Sequence, residues 1–115
     1  MKEIKAIIRP SKLAALREAL RDFPGFPGMT VSKVEGLSAP SRIGAPRHNL
    51  REELVDFTPK LRIEIVGPDD VANGLVDLIV RICSTGQIGD GLVWVTPVDR
   101  AIFVHKTVGS TPDSH

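Results

Sequence analysis

The chain has 115 residues, one domain's worth, of which 42% are hydrophobic and 25% charged; these ordinary globular values argue against disorder and leave no room for two substrate-clasping lobes. Fifteen Lys and Arg against 14 Asp and Glu give a net charge of +1, so there is no basic excess of the kind that nucleic-acid binding uses. With no Tyr, one Trp, four Phe and the single Cys83, base-stacking platforms are scarce, and neither an intrachain disulfide nor a cysteine-built zinc site can form.

From Met1 the chain enters a strand pattern directly, without an apolar signal core. Ile4, Ala6 and Ile8 alternate with Lys5, Ile7 and Arg9, the period of a half-buried strand. Pro10 ends it, and Ser11 stands where a helix N-cap is expected. Leu13, Leu16 and Leu20 then share one helical face, with Lys12, Arg17, Glu18 and Arg21 on the wet side. Two prolines and two glycines within residues 23–28 stop that helix. Residues 29–35 read as a second strand, and Leu61, Ile63 and Ile65 mark a third. Asp69 is the expected N-cap of a second helix whose buried stripe is Val71, Leu75, Leu78, Ile79 and Ile82, with Gly86 as its left-handed terminator. The apolar run at 71–83 is broken by Asn73, Gly74, Asp77 and Arg81 and is too short to span a bilayer. Residues 92–95 predict a fourth strand, 101–104 a short fifth, and 110–115 a flexible tail.

The order β-α-β-β-α-β plus a short strand is the α+β, ferredoxin-like pattern, with one domain over residues 1–109. Apolar residues on the second sheet face predict packing against other subunits. The connection over residues 36–58 is far longer than a hairpin needs. Its prolines, glycines and charges, among them Arg42, Arg47, His48 and Arg51, predict an arm that orders on contact with an effector or partner. Cys83, in an apolar stripe, reads as a small buried hydrophobe, and Trp94 and Phe103 as packing residues on neighbouring strands. His48, His105 and His115 are too scattered for a metal site within one chain, although threefold symmetry would bring copies together.

Residues 1–10 (Met-Lys-Glu-Ile-Lys-Ala-Ile-Ile-Arg-Pro), the 28–31 block Gly-Met-Thr-Val, Val55-Asp56-Phe57, Pro59-Lys60, the 63–66 block Ile-Glu-Ile-Val and the 85–91 block Thr-Gly-Gln-Ile-Gly-Asp-Gly together resemble the PII signal-transduction proteins. The resemblance covers residues 1–104. It implies a homotrimer of ferredoxin-like subunits, not an enzyme, that binds adenine nucleotides in clefts between subunits. It also implies a role in nitrogen regulation, with a membrane transporter or enzyme controlled through the long loop, called the T-loop. The same resemblance assigns Thr30, Glu64, Val66 and Thr85 to the base and ribose. Gly89, Asp90 and Gly91 would take a phosphate, a role that the convergence of glycine amides on an anion makes physically reasonable. Lys60 matches a lysine that assists 2-oxoglutarate binding in the family, although a single lysine is in general an ordinary surface cation.

The departures from the family are directional. Where the family has a phosphate-binding Lys after the last glycine, this chain has Leu92. Where two arginines reach the phosphates, it has Phe103 and His105, so one titratable imidazole replaces three fixed cations. Pro40 stands where a Gln helps place Mg-ATP and 2-oxoglutarate, and the loop has no Tyr to be uridylylated. Each lost charge-assisted bond removes about 1.5–3 kcal/mol, so AMP or ADP is expected as the effector in preference to ATP. The alternatives are an effector-independent interaction module, or a regulator responding to metal ions or bicarbonate. A cytoplasmic protein with no direct membrane insertion is expected.

Overall fold

The computed structural model describes residues 1–37 and 57–106. Strand β1 is Lys2–Ile8, helix α1 Leu13–Arg21, β2 Thr30–Leu37, β3 Phe57–Gly67, helix α2 Asp69–Cys83 and β4 Gly91–Pro97. The four strands form one sheet in the order β2-β3-β1-β4, with every neighbouring pair antiparallel. This is the ferredoxin-like arrangement, with both helices on one face.

The pairing register divides the sheet's residues between its two faces. Ile4, opposite Ile65 and Val95, and Ala6, opposite Ile63 and Val93, lie on the helix side. They bury against Leu16 and Leu20 of α1 and Leu75 and Ile79 of α2, all 2% exposed or less. The α1 and α2 stripes are therefore those the 3.6-residue period marks, with Ala72 and Cys83 added to the buried set and Val71 and Ile82 packed at its margin.

Several local expectations are corrected. Ser11 does not cap α1: residues Pro10–Lys12 form a 3-10 turn, and Lys12 precedes the helix with no side-chain cap bond. The fixed φ of Pro10 starts this tighter turn one step ahead of the helix. Asp69 lies inside the first turn of α2 rather than at its cap, and its carboxylate pairs with the Met1 ammonium at 2.8 Å. Gly86 has φ +80° but sits beyond the end of α2, which Ser84 closes in an extended conformation. No fifth strand forms among the described residues; Val104–Lys106 is a short 3-10 turn instead. Outer strand β4 offers an edge on which such a strand could pair, but Phe103 instead lines a cavity with Glu3, Thr30 and Glu64 on the sheet's second face.

That second face is not the apolar surface expected. The register gives it Glu3, Lys5, Arg62 and Glu64 beside Ile7, Val34, Val66, Leu92 and Trp94. Trp94, opposite Lys5, belongs to this face and not to the core. Gly36, Leu37, Phe57 and Thr58, expected in the long connection, pair within β2 and β3 instead; residues 38–56 and those beyond 106 lie outside the described residues. With them lie the expected loop ligands Arg42, Arg47, His48 and Arg51.

Candidate functional site: two half-cavities on the open sheet face

The turn between α2 and β4 is built around one carboxylate. Asp90 Oδ2 accepts the backbone amides of Thr85 at 2.7 Å, Gly86 at 2.9 Å and Gln87 at 3.3 Å. Its Oδ1 accepts the Thr85 hydroxyl and Arg9 Nε, the latter at 3.0 Å, while Arg9 Nη2 donates to the Ile88 carbonyl at 3.3 Å. These donors, the Thr85 hydroxyl foremost and its amide next, hold the Asp90 carboxyl well below the usual carboxylate range. Thr85 and Asp90 thus serve each other: the Thr85 amide and hydroxyl proton both point at the carboxylate. The amides of 85–87 form an anion nest that the chain fills with its own anion.

Glycine at 91 has a reason that precedes any ligand. A Cβ there would stand 1.7 Å from the Ile7 carbonyl oxygen, and its φ is +111°. The β1 backbone lies too close for any side chain. Gly89, at φ +98°, gives its carbonyl to the Lys60 ammonium. Lys60 is only 7% exposed. It is therefore no surface cation: it crosses the end of β1 to join β3 to the 85–91 turn. Among the described residues that carbonyl is its hydrogen-bond partner, and no carboxylate meets it.

Lys60 lines a cavity of about 600 Å³ together with Gly36, Arg62, Gly89, Gly91 and Leu92. The Nε of Arg62 is buried there without a hydrogen-bond partner. Glu35 lines it too, so this half-cavity sets two cations against one carboxylate on a glycine-rich lining with apolar side chains. Leu92, 59% exposed, occupies its lip.

A second cavity, of about 380 Å³, lies farther along the same face and is lined by Glu3, Met29, Thr30, Glu64, Val66 and Phe103 among others. The register sets Thr30 opposite Glu64 and Glu3 opposite Val66, which brings three sequence-expected residues together. Phe103, read from the sequence as strand packing, joins them. Its ring meets that of His105 at a centroid distance of 6.2 Å and a tilt of 46°. The signal for Phe103 in the sequence was the departure from the family pattern; its direction required the fold. Arg62 and Glu64, 3.5 Å apart, stand at the boundary between the cavities. Within one chain, then, Thr30, Glu64 and Val66 line one cavity and Gly89 and Gly91 the other, while Thr85 and Asp90 are engaged in the turn.

Cys83 sits at the end of α2, 5% exposed; burial pushes its thiol above the ordinary value, which suits a packing role. No helix among the described residues is long and apolar enough to cross a membrane.

Together these elements form a ferredoxin-like domain that gathers a glycine-rich turn, a buried lysine and the end of β2 around one cavity, the turn and the lysine belonging to blocks that carry the sequence resemblance. Comparison with known proteins agrees. The family model "Nitrogen regulatory protein P-II" matches residues 1–107. Nitrogen regulatory protein P-II 1 of Escherichia coli (strain K12) is 46% identical over 104 residues, 90% of this chain and 91% of that protein. The protein of the same name from Salmonella typhimurium (strain LT2) has the same identity and coverage. Nitrogen regulatory protein P-II of Klebsiella oxytoca is 45% identical over 104 residues, with the same shares. The chain belongs to the nitrogen regulatory protein P-II family. It is accordingly a signalling regulator and not an enzyme, in a family whose members bind nucleotide effectors and act as trimers on partner proteins.

Proposed function

We propose that this chain is a divergent P-II regulator that binds AMP or ADP in preference to ATP between the subunits of a homotrimer, and that it controls a transporter or enzyme in the cytoplasm through the connection between β2 and β3. The observation that carries the reading is the division of charge between the two cavities. Lys60 and Arg62 outnumber Glu35 in one, whereas Glu3 and Glu64 are the charged lining residues of the other. Since they lie at different places along one face, the basic half of one subunit and the acidic half of its neighbour together make a complete cleft. A bipolar ligand fits it, with base and ribose against carboxylate acceptors and a phosphate beside the buried lysine and the Gly89 and Gly91 backbone.

The length of the phosphate chain follows from electrostatics. The nest amides at 85–87 are already turned to Asp90, and Leu92, Phe103 and His105 stand where the family's cations would be. One phosphate finds Lys60. A triphosphate carries further charge into a partly dry cleft without a counter-ion. Calorimetric titration with AMP, ADP and ATP tests this. AMP or ADP binds at least as tightly as ATP, and the double variant Leu92→Lys, His105→Arg gains affinity for ATP selectively. A clear preference of the unsubstituted protein for ATP defeats the reading.

The buried ammonium of Lys60 favours one second reading. A cation sheltered from water, whose hydrogen-bond partner among the described residues is a carbonyl, is suited to a small anion, so bicarbonate or a simple carboxylate competes with the nucleotide phosphate for this cavity. Titration with bicarbonate in the same buffer separates the two.

A further inference from the structure

We propose that Phe103 is the base-recognition wall of the acidic half-cavity, so that this position, which the family resemblance gives to a phosphate-directed cation, has become a platform for a purine ring. The inference rests on the nucleotide reading above and deepens it. It assigns a specificity residue, and it says which part of the ligand supplies the affinity that the missing cations no longer give.

Three observations carry it. The Phe103 side chain lines the cavity that holds Thr30, Glu64 and Val66, and not the basic one that holds Lys60 and Gly89. Among the described residues lining this cavity none carries a fixed positive charge, whereas Glu3 and Glu64, paired with Lys5 and Arg62 at 3.5 Å each, bring two carboxylates. These accept hydrogen bonds and repel phosphate, so the moiety that suits the cavity is flat, uncharged and rich in N–H and O–H donors. An aminopurine with its ribose has those properties. The apolar remainder, Met29, Val66 and Phe103, is matched to a π-face; thioether–aromatic and ring-stacking contacts are favourable on both counts.

The placement of the ring is also supported. The tilted contact with His105, at 6.2 Å between centroids, braces Phe103 from its own segment, which lessens the ordering cost of stacking. Gly28, another lining residue at φ +111°, has no atom within 4 Å of the place its Cβ would take. That side of the cavity is open enough to admit a planar ligand.

The test is calorimetric titration of the full chain and of Phe103→Leu with AMP and with adenosine. Leucine keeps bulk and apolarity but has no π-face. The unsubstituted protein binds adenosine too, more weakly than AMP by the phosphate's contact with Lys60, because the base half holds the ligand by itself. Phe103→Leu weakens both ligands by a similar factor, on the order of tenfold for one lost base–aromatic stack, and Phe103→Trp, which keeps an aromatic face, retains the affinity. Adenosine failing to bind a protein that binds AMP overturns the proposal. So does a loss confined to AMP, which would put Phe103 beside the phosphate, or a Phe103→Leu variant that binds AMP unchanged. Should the unsubstituted protein bind neither AMP nor ADP, the nucleotide reading itself fails; an unchanged Phe103→Leu with intact AMP binding fails this inference alone.

Discussion

Asp90 shows how one side chain sets the local chemistry. Its carboxylate gathers three amides, a hydroxyl and a guanidinium, so Asp90→Asn removes the charge that organises residues 85–87. The carboxyl is held below its ordinary value in the folded chain. Its stabilising contribution is therefore fully present above the unfolded value of about 3.9 and is lost as the pH falls below that towards the depressed native one. Urea unfolding should show Asp90→Asn less stable than the parent at pH 7, with the gap narrowing below about pH 4. A gap that stays constant with pH would assign the loss to shape and not to charge. The same residue marks a limit of motif reading. Gly-Asp-Gly looks like a phosphate loop, yet Gly91 is needed for the approach to Ile7 and Asp90 for the turn itself.

At the scale of elements, the two helices are held by burial and not by caps. Neither α1 nor α2 has a side-chain cap bond, and most helical stability in such cases comes from the packed face. Leu75, fully buried between α2 and the sheet, is a core site where truncation leaves a cavity. Leu75→Ala should cost about 3 kcal/mol, whereas Val80→Ala on the same helix, at a position 52% exposed, should stay within about 0.5 kcal/mol. Denaturant midpoints for the two variants test this. Equal losses would mean that the outer side of α2 is covered in solution. Such cover is physically reasonable, since Val80, Leu92 and Val95 are exposed at the β4 edge of the sheet.

For the whole molecule, the open sheet face is the surface on which assembly is expected. It carries Trp94, Ile7 and Val66 among paired charges, and the basic and acidic half-cavities both lie on it. A face of this kind suits a subunit interface with a polar pattern that fixes orientation. Light scattering should give three 12.5 kDa chains, about 37 kDa, at micromolar concentration. A monomer would leave each half-cavity without its complement and would remove the proposed cleft along with the trimer.

The sequence by itself determined the four strands, the two helices, the helix-facing core and the family, but not the absence of a strand at 101–104. Alternation in β1 and β3 and the 3.6-residue stripes of α1 and α2 are local periodicities, and local periodicity survives without coordinates. What it could not supply was direction across the fold. Lys60 reads as a surface cation until the register carries it over the end of β1 to Gly89, and Phe103 reads as a strand residue until the chain after β4 turns it into the cavity with Thr30 and Glu64. Ser11 and Asp69 have the right chemistry for caps, but Pro10 starts a 3-10 turn and Met1 takes the Asp69 carboxylate. In each case the deciding partner is fixed by backbone geometry or stands far away in the chain. Only the tertiary structure brings such groups within bonding distance, and so only it could separate a basic half-cavity from an acidic one.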